Sequence, residues 1–185
     1  MTKKRKKNNK NILLGVCGSI AAYKVCELIR TLKKRGFDVR CILTEAGKEF
    51  ITPLTLQTLS GNQVYTDMFA PYFCDPGHIS LAEYAGLVAV VPATADIIAK
   101  MACGIADELL TGVVLSTRAK ILVCPAMHTC MWENPVTRGN VQKLRKAGYS
   151  FIGPVKGELT RGKGTGRMAG VEEIAGEISK LAGKR

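Results

Sequence analysis

Several short stretches carry side chains suited to ligand chemistry. In GVCGSIAAYK, glycines at positions 15 and 18 let backbone amides approach a ligand, and Ser19 offers a hydroxyl where a helix begins. Gly18, Ser19 and Ile20 therefore form a candidate anion site at a helix N-terminus. The spacing is neither G-x-G-x-x-G nor a P-loop, and a plain strand-to-helix turn fits the same residues. Thr44, Glu45 and Ala46, and the stretch VPATAD with Thr94 and Asp96, put small hydroxyl residues and carboxylates at two further strand ends. Thr94 would serve equally as a helix cap. PAMHTCMWENP gathers one His, one Cys, two Met and the chain's single Trp between prolines. It is expected to be neither a regular helix nor a central strand, and a Met and Trp cluster that fills core space is its plain alternative. Cys124, His128 and Cys130 lack a fourth ligand at suitable spacing, so no metal site is expected. His78 follows CDPG, a turn-forming loop, where an imidazole that exchanges protons near neutral pH reaches both solvent and ligand.

These residues need a frame. Ile12–Val16, Val39–Leu43, Leu87–Val91 and Ile121–Cys124 are short apolar runs without polar alternation, the pattern of strands buried on both faces. Helical periodicity fills the intervals. From Ser19 the residues Ala21, Val25, Leu28, Ile29 and Leu32 share one stripe, with Gly36 as C-cap. Further helices are expected over Ala46–Phe50, Pro53–Leu59, Ala95–Ala102, Glu108–Leu115, Val141–Ala147 and Val171–Leu181, and a strand over Tyr149–Ile152. The alternation predicts an α/β fold, a doubly wound parallel sheet with helices on both faces. In such a sheet, ligands bind outside the carboxyl ends of the strands, where the candidate loops lie. The Gly-rich segment 153–170 is too polar for the core and reads as a mobile flap.

The totals narrow the class. A chain of 185 residues, 46% hydrophobic and 23% charged, fits one soluble domain over 12–185. No apolar run reaches the roughly 18 residues that span a bilayer, and no apolar segment backs the charged N-terminus, so neither membrane insertion nor export is expected. Seven cysteines without a secretion signal read as reduced thiols in a cytosol. Lys3, Lys4, Arg5, Lys6, Lys7 and Lys10 supply half of the formal charge of +12. That like-charge block, residues 1–11, reads as a solvated tail. No aromatics interleave with its lysines, so no specific nucleic-acid partner is expected.

Taken together, GVCGSIAAYK, LTEAGKEFITPLTLQTLSG, HISLAEYAGLVAVVPATADIIAKMACGIADELL, PAMHTCMWENPVT and GKGTGRM resemble the flavin-dependent cysteine decarboxylases, in the same order and over nearly all of Ile12–Leu181. The resemblance implies a flavodoxin-like, Rossmann-like three-layer sheet, bound FMN, and a homotrimer or higher assembly with FMN between subunits. The activity implied is decarboxylation of 4'-phospho-N-pantothenoylcysteine to 4'-phosphopantetheine in coenzyme A biosynthesis, by a chain that ends before any fused ligase. Alternatives are oxidative decarboxylation of a peptidyl C-terminal cysteine to an enethiol, or a non-catalytic FMN-binding role. Carried over by position, Gly18, Ser19 and Ile20 hold the FMN phosphate. Thr44, Glu45 and Ala46, with Thr94, Ala95, Asp96 and Ile97, line the ribityl chain and ring. Ala126 and Met127 approach the isoalloxazine, and His78 is the catalytic base. FMN takes two electrons from the cysteinyl group, the thioaldehyde loses carbon dioxide, and the reduced flavin returns the electrons to the enethiol.

Two positions depart from the family pattern. His128 stands where Asn commonly binds the substrate carboxylate, and a neutral imidazole still donates one hydrogen bond. Arg161, in LTRG, stands where a flap Cys usually protonates the enethiol. Guanidinium is a poor proton donor but a good carboxylate or phosphate clamp, which leaves Cys130 as the substitute acid.

Overall fold

A computed structural model describes residues 10–70, 77–159 and 162–183. The basic run of residues 3–7, Cys74 and Arg161 lie outside them. β1 (Asn11–Val16) leads through a 3-10 turn (Ile20–Lys24) into α1 (Val25–Lys34). β2 (Asp38–Leu43), α2 (Glu45–Lys48), α3 (Pro53–Ser60) and β3 (Val64–Tyr65) complete the first half. The second half runs α4 (Gly77–Tyr84), β4 (Leu87–Ala93), α5 (Ala95–Cys103), α6 (Leu109–Ser116) and β5 (Lys120–Pro125). It ends with α7 (Thr129–Glu133), α8 (Pro135–Lys146), β6 (Ser150–Phe151), a hairpin of β7 (Val155–Glu158) and β8 (Lys163–Arg167), and α9 (Val171–Gly183).

The expected doubly wound sheet is present. Six parallel strands take the order β3-β2-β1-β4-β5-β6. Side chains of one strand alternate between faces, so β1 sends Ile12, Leu14 and Val16 to one core and Leu13 to the other. α1, α3 and α9 cover the first face with Leu28, Leu32, Leu56, Ile174 and Ile178; α4, α5, α6 and α8 cover the second with Leu81, Ile98, Leu110 and Leu144. Both faces being dry explains why the strands read as unbroken apolar runs. Gly36 adopts φ +79 after α1, the left-handed C-terminal position that glycine fills without steric cost.

Several expectations change. His78 is not in a loop: it is the second residue of α4, a helix whose weak amphipathicity hid it. PAMHTCMWENP is not irregular throughout, since Pro125 closes β5, Thr129–Glu133 forms the short α7, and Pro135 opens α8 at the helix position where a missing N–H costs nothing. α8 thus begins six residues before the expected Val141. Within the Gly-rich segment 153–170, Val155–Glu158 and Lys163–Arg167 pair as two antiparallel strands. Asn11, assigned to the tail, already belongs to β1 and pairs with Asp38. β4 also continues past Val91 to Ala93, because a register shift between Val90 and Ala93 accommodates Pro92.

Candidate active site

The strand order reverses between β1 and β4, and a cleft of about 210 Å³ opens at the carboxyl ends there. Seven of the predicted residues line it: Gly18, Thr44, Glu45, Ala46, Thr94, Asp96 and Ile97. Helix capping places them. Thr44 Oγ1 accepts from Gly47 N at 3.1 Å and donates to Val16 O at 3.4 Å. Thr94 Oγ1 accepts from Ile97 N at 3.3 Å, and its hydroxyl proton remains for a ligand. The cap and the binding role of Thr94 are therefore compatible. Ser19 Oγ accepts from Ala21 N at 3.3 Å, and the next residue, Ile20, is 63% exposed. Ala95 is the first residue of α5, beside Thr94.

The ends of β4 and β5 lie side by side, because Ala126 N donates to Ala93 O at 3.0 Å. Ala126 is buried and Met127 half-buried, and neither is among the cleft residues. His128, the N-cap of α7, and Cys130 within it are exposed. His128 Nδ1 accepts from Cys130 N at 3.3 Å, which leaves Nε2 to carry the proton of the neutral ring and to donate outward. His78 is not among the cleft residues. It packs on α6 at Gly112, where its Cβ would lie 3.4 Å from a methyl built on that glycine, one turn beyond Glu108 of the cleft wall. Its Nδ1 is buried and has no hydrogen-bond partner among the described residues.

Three cleft residues escaped the sequence reading: Cys17, Lys100 and Glu108. Burial pushes the Cys17 thiol far above its ordinary range, with Glu108 adding to the shift, so it is an inert wall rather than a nucleophile. Lys100 bridges Asp107 at 3.1 Å and Asp96 at 3.8 Å, tying α5 to the chain entering α6. The i,i+4 spacing of Asp96 and Lys100 was the available signal. Glu108 precedes α6, where its N–H donates to Thr111 Oγ1 at 3.4 Å, and an acidic residue before an apolar run with Thr three positions on was the legible sign.

Burial raises the Glu108 carboxyl above its ordinary value, against the lowering effect of Lys100 and with help from Asp107, Asp96 and Glu45. A raised carboxyl binds its proton more tightly in the folded state, so its ionisation costs stability above the raised value and the cost disappears as pH falls below the ordinary one. Glu108→Gln is therefore expected to raise the Tm of the purified chain at pH 7, with the difference narrowing toward pH 4. Equal Tm differences at both pH values would show that Glu108 is not the titrating group.

The cleft suits part of a flavin nucleotide. It offers the Gly18 backbone, beside the helix start at Ser19, for an anion, the Thr94 hydroxyl for a polyol, and Ala46 and Ile97 for an apolar ring. Glu45, Asp96 and Glu108 against the single Lys100 make its interior acidic, so an anion belongs at the Gly18–Ser19 rim and neutral hydroxyls inside. At about 210 Å³ it falls below the roughly 300–1,000 Å³ of usual ligand pockets.

The chain belongs to the Flavoprotein family, whose model matches residues 1–183. It is 45% identical over 184 residues to the coenzyme A biosynthesis bifunctional protein CoaBC of Vibrio cholerae serotype O1, covering 95% of this chain and 46% of that protein. The chain spans about half the length of the curated relatives it matches. Among solved structures it resembles the FMN-dependent cysteine decarboxylase SpaF, with a TM-score of 0.81, 27% identity, and 93% and 97% of the two chains covered. It also resembles a PPC decarboxylase mutant complexed with pantothenoylaminoethenethiol, with a TM-score of 0.82, 28% identity, and 92% and 97% covered.

Proposed function

We propose that this chain binds FMN and decarboxylates 4'-phospho-N-pantothenoylcysteine to 4'-phosphopantetheine in coenzyme A biosynthesis. The observation that carries this reading is the cleft at the β1/β4 reversal, in a chain 45% identical over 184 residues to the coenzyme A biosynthesis bifunctional protein CoaBC. The backbone at Gly18, Ser19 and Ile20 holds the phosphate. Thr44–Ala46 and Thr94–Ile97 line the ribityl chain, and Ala126 and Met127 meet the ring. When bound, FMN supplies a two-electron oxidant for the cysteinyl group. His78 takes up the proton released, and His128 Nε2 donates to the substrate carboxylate. Cys130 stands nearest His128 in the chain as an acid for the enethiol. Arg161, outside the described residues, is assigned to clamping an anion.

We place FMN between subunits of a homotrimer or larger assembly. The small volume of the cleft, the position of His78 outside it, and the exposure of Ile20 (63%), Tyr23 (60%) and Phe69 (88%) favour completion of the site by a neighbouring copy. The reading includes a cytosolic location, where exposed thiols such as Cys103 and Cys130 stay reduced.

The test is direct. Purified protein is expected to be yellow, to bleach on anaerobic addition of 4'-phospho-N-pantothenoylcysteine, and to release carbon dioxide and phosphopantetheine. A product lighter by two hydrogens would favour the oxidative half alone, the reading to which Arg161 in place of a flap Cys points. Colourless protein that takes up no added FMN would overturn both.

A further inference from the structure

β8 touches the site through its glycines. A methyl built on Gly166 would overlap the carbonyl oxygen of Met127 and come within 3.2 Å of Met127 C and 3.4 Å of His128 C. At the same place Met127 N donates to Gly166 O at 3.0 Å. Two residues earlier, on the same face of the strand, a methyl on Gly164 would overlap Thr129 Oγ1 and reach Thr129 Cβ at 3.1 Å and Cγ2 at 3.3 Å. Thr129 Oγ1 is buried and without a hydrogen-bond partner among the described residues. The hairpin's other paired glycine is different in kind. Gly157, opposite Gly164, faces only the side chain of Arg167, whose Cδ would lie 2.9 Å from an added methyl and which can swing aside.

The segment that β8 covers has few other ties. Ala126 is fixed to β4 by its bond to Ala93, and α7 begins its own bonding with Met131 and Trp132 donating to His128 O. Between them, the Met127 amide is held by Gly166. We propose that Gly164 and Gly166 are positioning residues: their bare backbone lets β8 lie directly on Met127–Thr129 and thereby sets the height and aim of Met127 and His128. Any side chain at either glycine would lift the strand and release the Met127 amide. The proposal deepens the reading of this site as the cysteinyl-substrate pocket and rests on it for what Met127 and His128 do; the contact itself does not depend on that reading.

Hydrogen exchange and kinetics test it on the full chain loaded with FMN. Gly166→Ala is expected to speed exchange of the Met127 amide by roughly threefold to tenfold, the loss of one ordinary hydrogen bond. Because His128 would no longer meet the substrate carboxylate squarely, KM for 4'-phospho-N-pantothenoylcysteine is expected to rise more than kcat falls. Gly164→Ala should act in the same direction, and adding Thr129→Ala should restore much of it by removing the overlapped hydroxyl. No such rescue is available to Gly166→Ala, which meets backbone. Gly157→Ala should behave as the unsubstituted chain. Unchanged Met127 exchange in Gly166→Ala, failure of Thr129→Ala to rescue Gly164→Ala, or equal effects from Gly157→Ala would each overturn the proposal. A chain that turns over no substrate yet shows this exchange pattern would uphold the dock and overturn the functional reading instead.

Discussion

Replacing His78 by asparagine is expected to lower kcat for decarboxylation by about 10²–10⁴-fold, the contribution typical of a positioned acid–base group, while the protein stays yellow. The expectation rests on where the ring sits. α4 carries His78 in its first turn, packed on α6 beside Gly112 with Met68 on the same spot. Gly112 leaves room there: a methyl on it would lie 3.2 Å from Met68 Cε and 3.4 Å from His78 Cβ. The buried Nδ1 has no partner among the described residues. An orphaned buried polar atom costs about 1–3 kcal/mol, which packing alone would not favour and which a ligand or a neighbouring subunit would relieve. Asparagine is shorter, keeps a polar group in the same place, and leaves α4 and α6 free to pack. Flavin absorbance per chain and the assembly size should therefore match the unsubstituted protein, and the lost rate should not return at higher substrate concentration. Full activity in His78→Asn would remove His78 from the chemistry altogether.

The difference between what was legible in the sequence and what was not follows from how each element is stabilised. β1, β2, β4 and β5 are buried on both faces, so their unbroken Val, Ile and Leu runs were visible without any context. α1 is strongly amphipathic and ends at a left-handed glycine, and it too was plain, apart from the 3-10 opening at Ile20–Lys24. The cleft residues Thr44 and Thr94 were readable because the chemistry that caps a helix also puts hydroxyls at strand ends. α4 was missed because Gly77–Tyr84 has no clear apolar stripe: its position depends on packing against α6, a contact formed between distant parts of the chain. The hairpin of β7 and β8 hid behind glycines that look like linker composition. Their spacing of two residues, at Gly164 and Gly166, carried the strand period all the same, and only the covered segment Met127–Thr129 explains why side chains are missing there. Glu108 was passed over as a helix start, since a capping residue and a cleft-lining carboxylate look the same until β1 and β4 are placed beside it.

Gly18→Ala is expected to abolish stable FMN retention, raising the Kd by 10-fold or more, and to lower the Tm by about 2–12 °C, the range that roughly 1–3 kcal/mol of overpacking produces in a chain of this size. The cause is not a ligand contact but the meeting of two loops. A methyl at position 18 would lie 2.6 Å from Ala46 Cβ, 2.8 Å from Ala46 O and 3.0 Å from Ala46 C, distances that require backbone to move. α2 has no room to retreat, because Gly47 is itself pressed on the end of β1: a methyl there would meet Val16 O and Leu43 Cδ1, each at 2.7 Å. The turn after β1 must therefore shift, carrying Ser19 and the start of the helix with it. That turn is the proposed phosphate rim, while Thr94, the N-cap of α5, and Ile97 within that helix form the opposite wall and stay in place. Phosphate and ribityl contacts would then no longer be satisfied together. Riboflavin, which lacks the phosphate, should lose less affinity than FMN. Adding Ala46→Gly removes the 2.6 Å contact but not the carbonyl at 2.8 Å, so it should return part of the Tm and part of the flavin. Fluorescence titration with both flavins and a thermal melt measure all of this. If Gly18→Ala retains FMN as the unsubstituted chain does, the phosphate rim is not at this turn, and the cleft at the β1/β4 reversal must hold its ligand by the Thr94 wall alone.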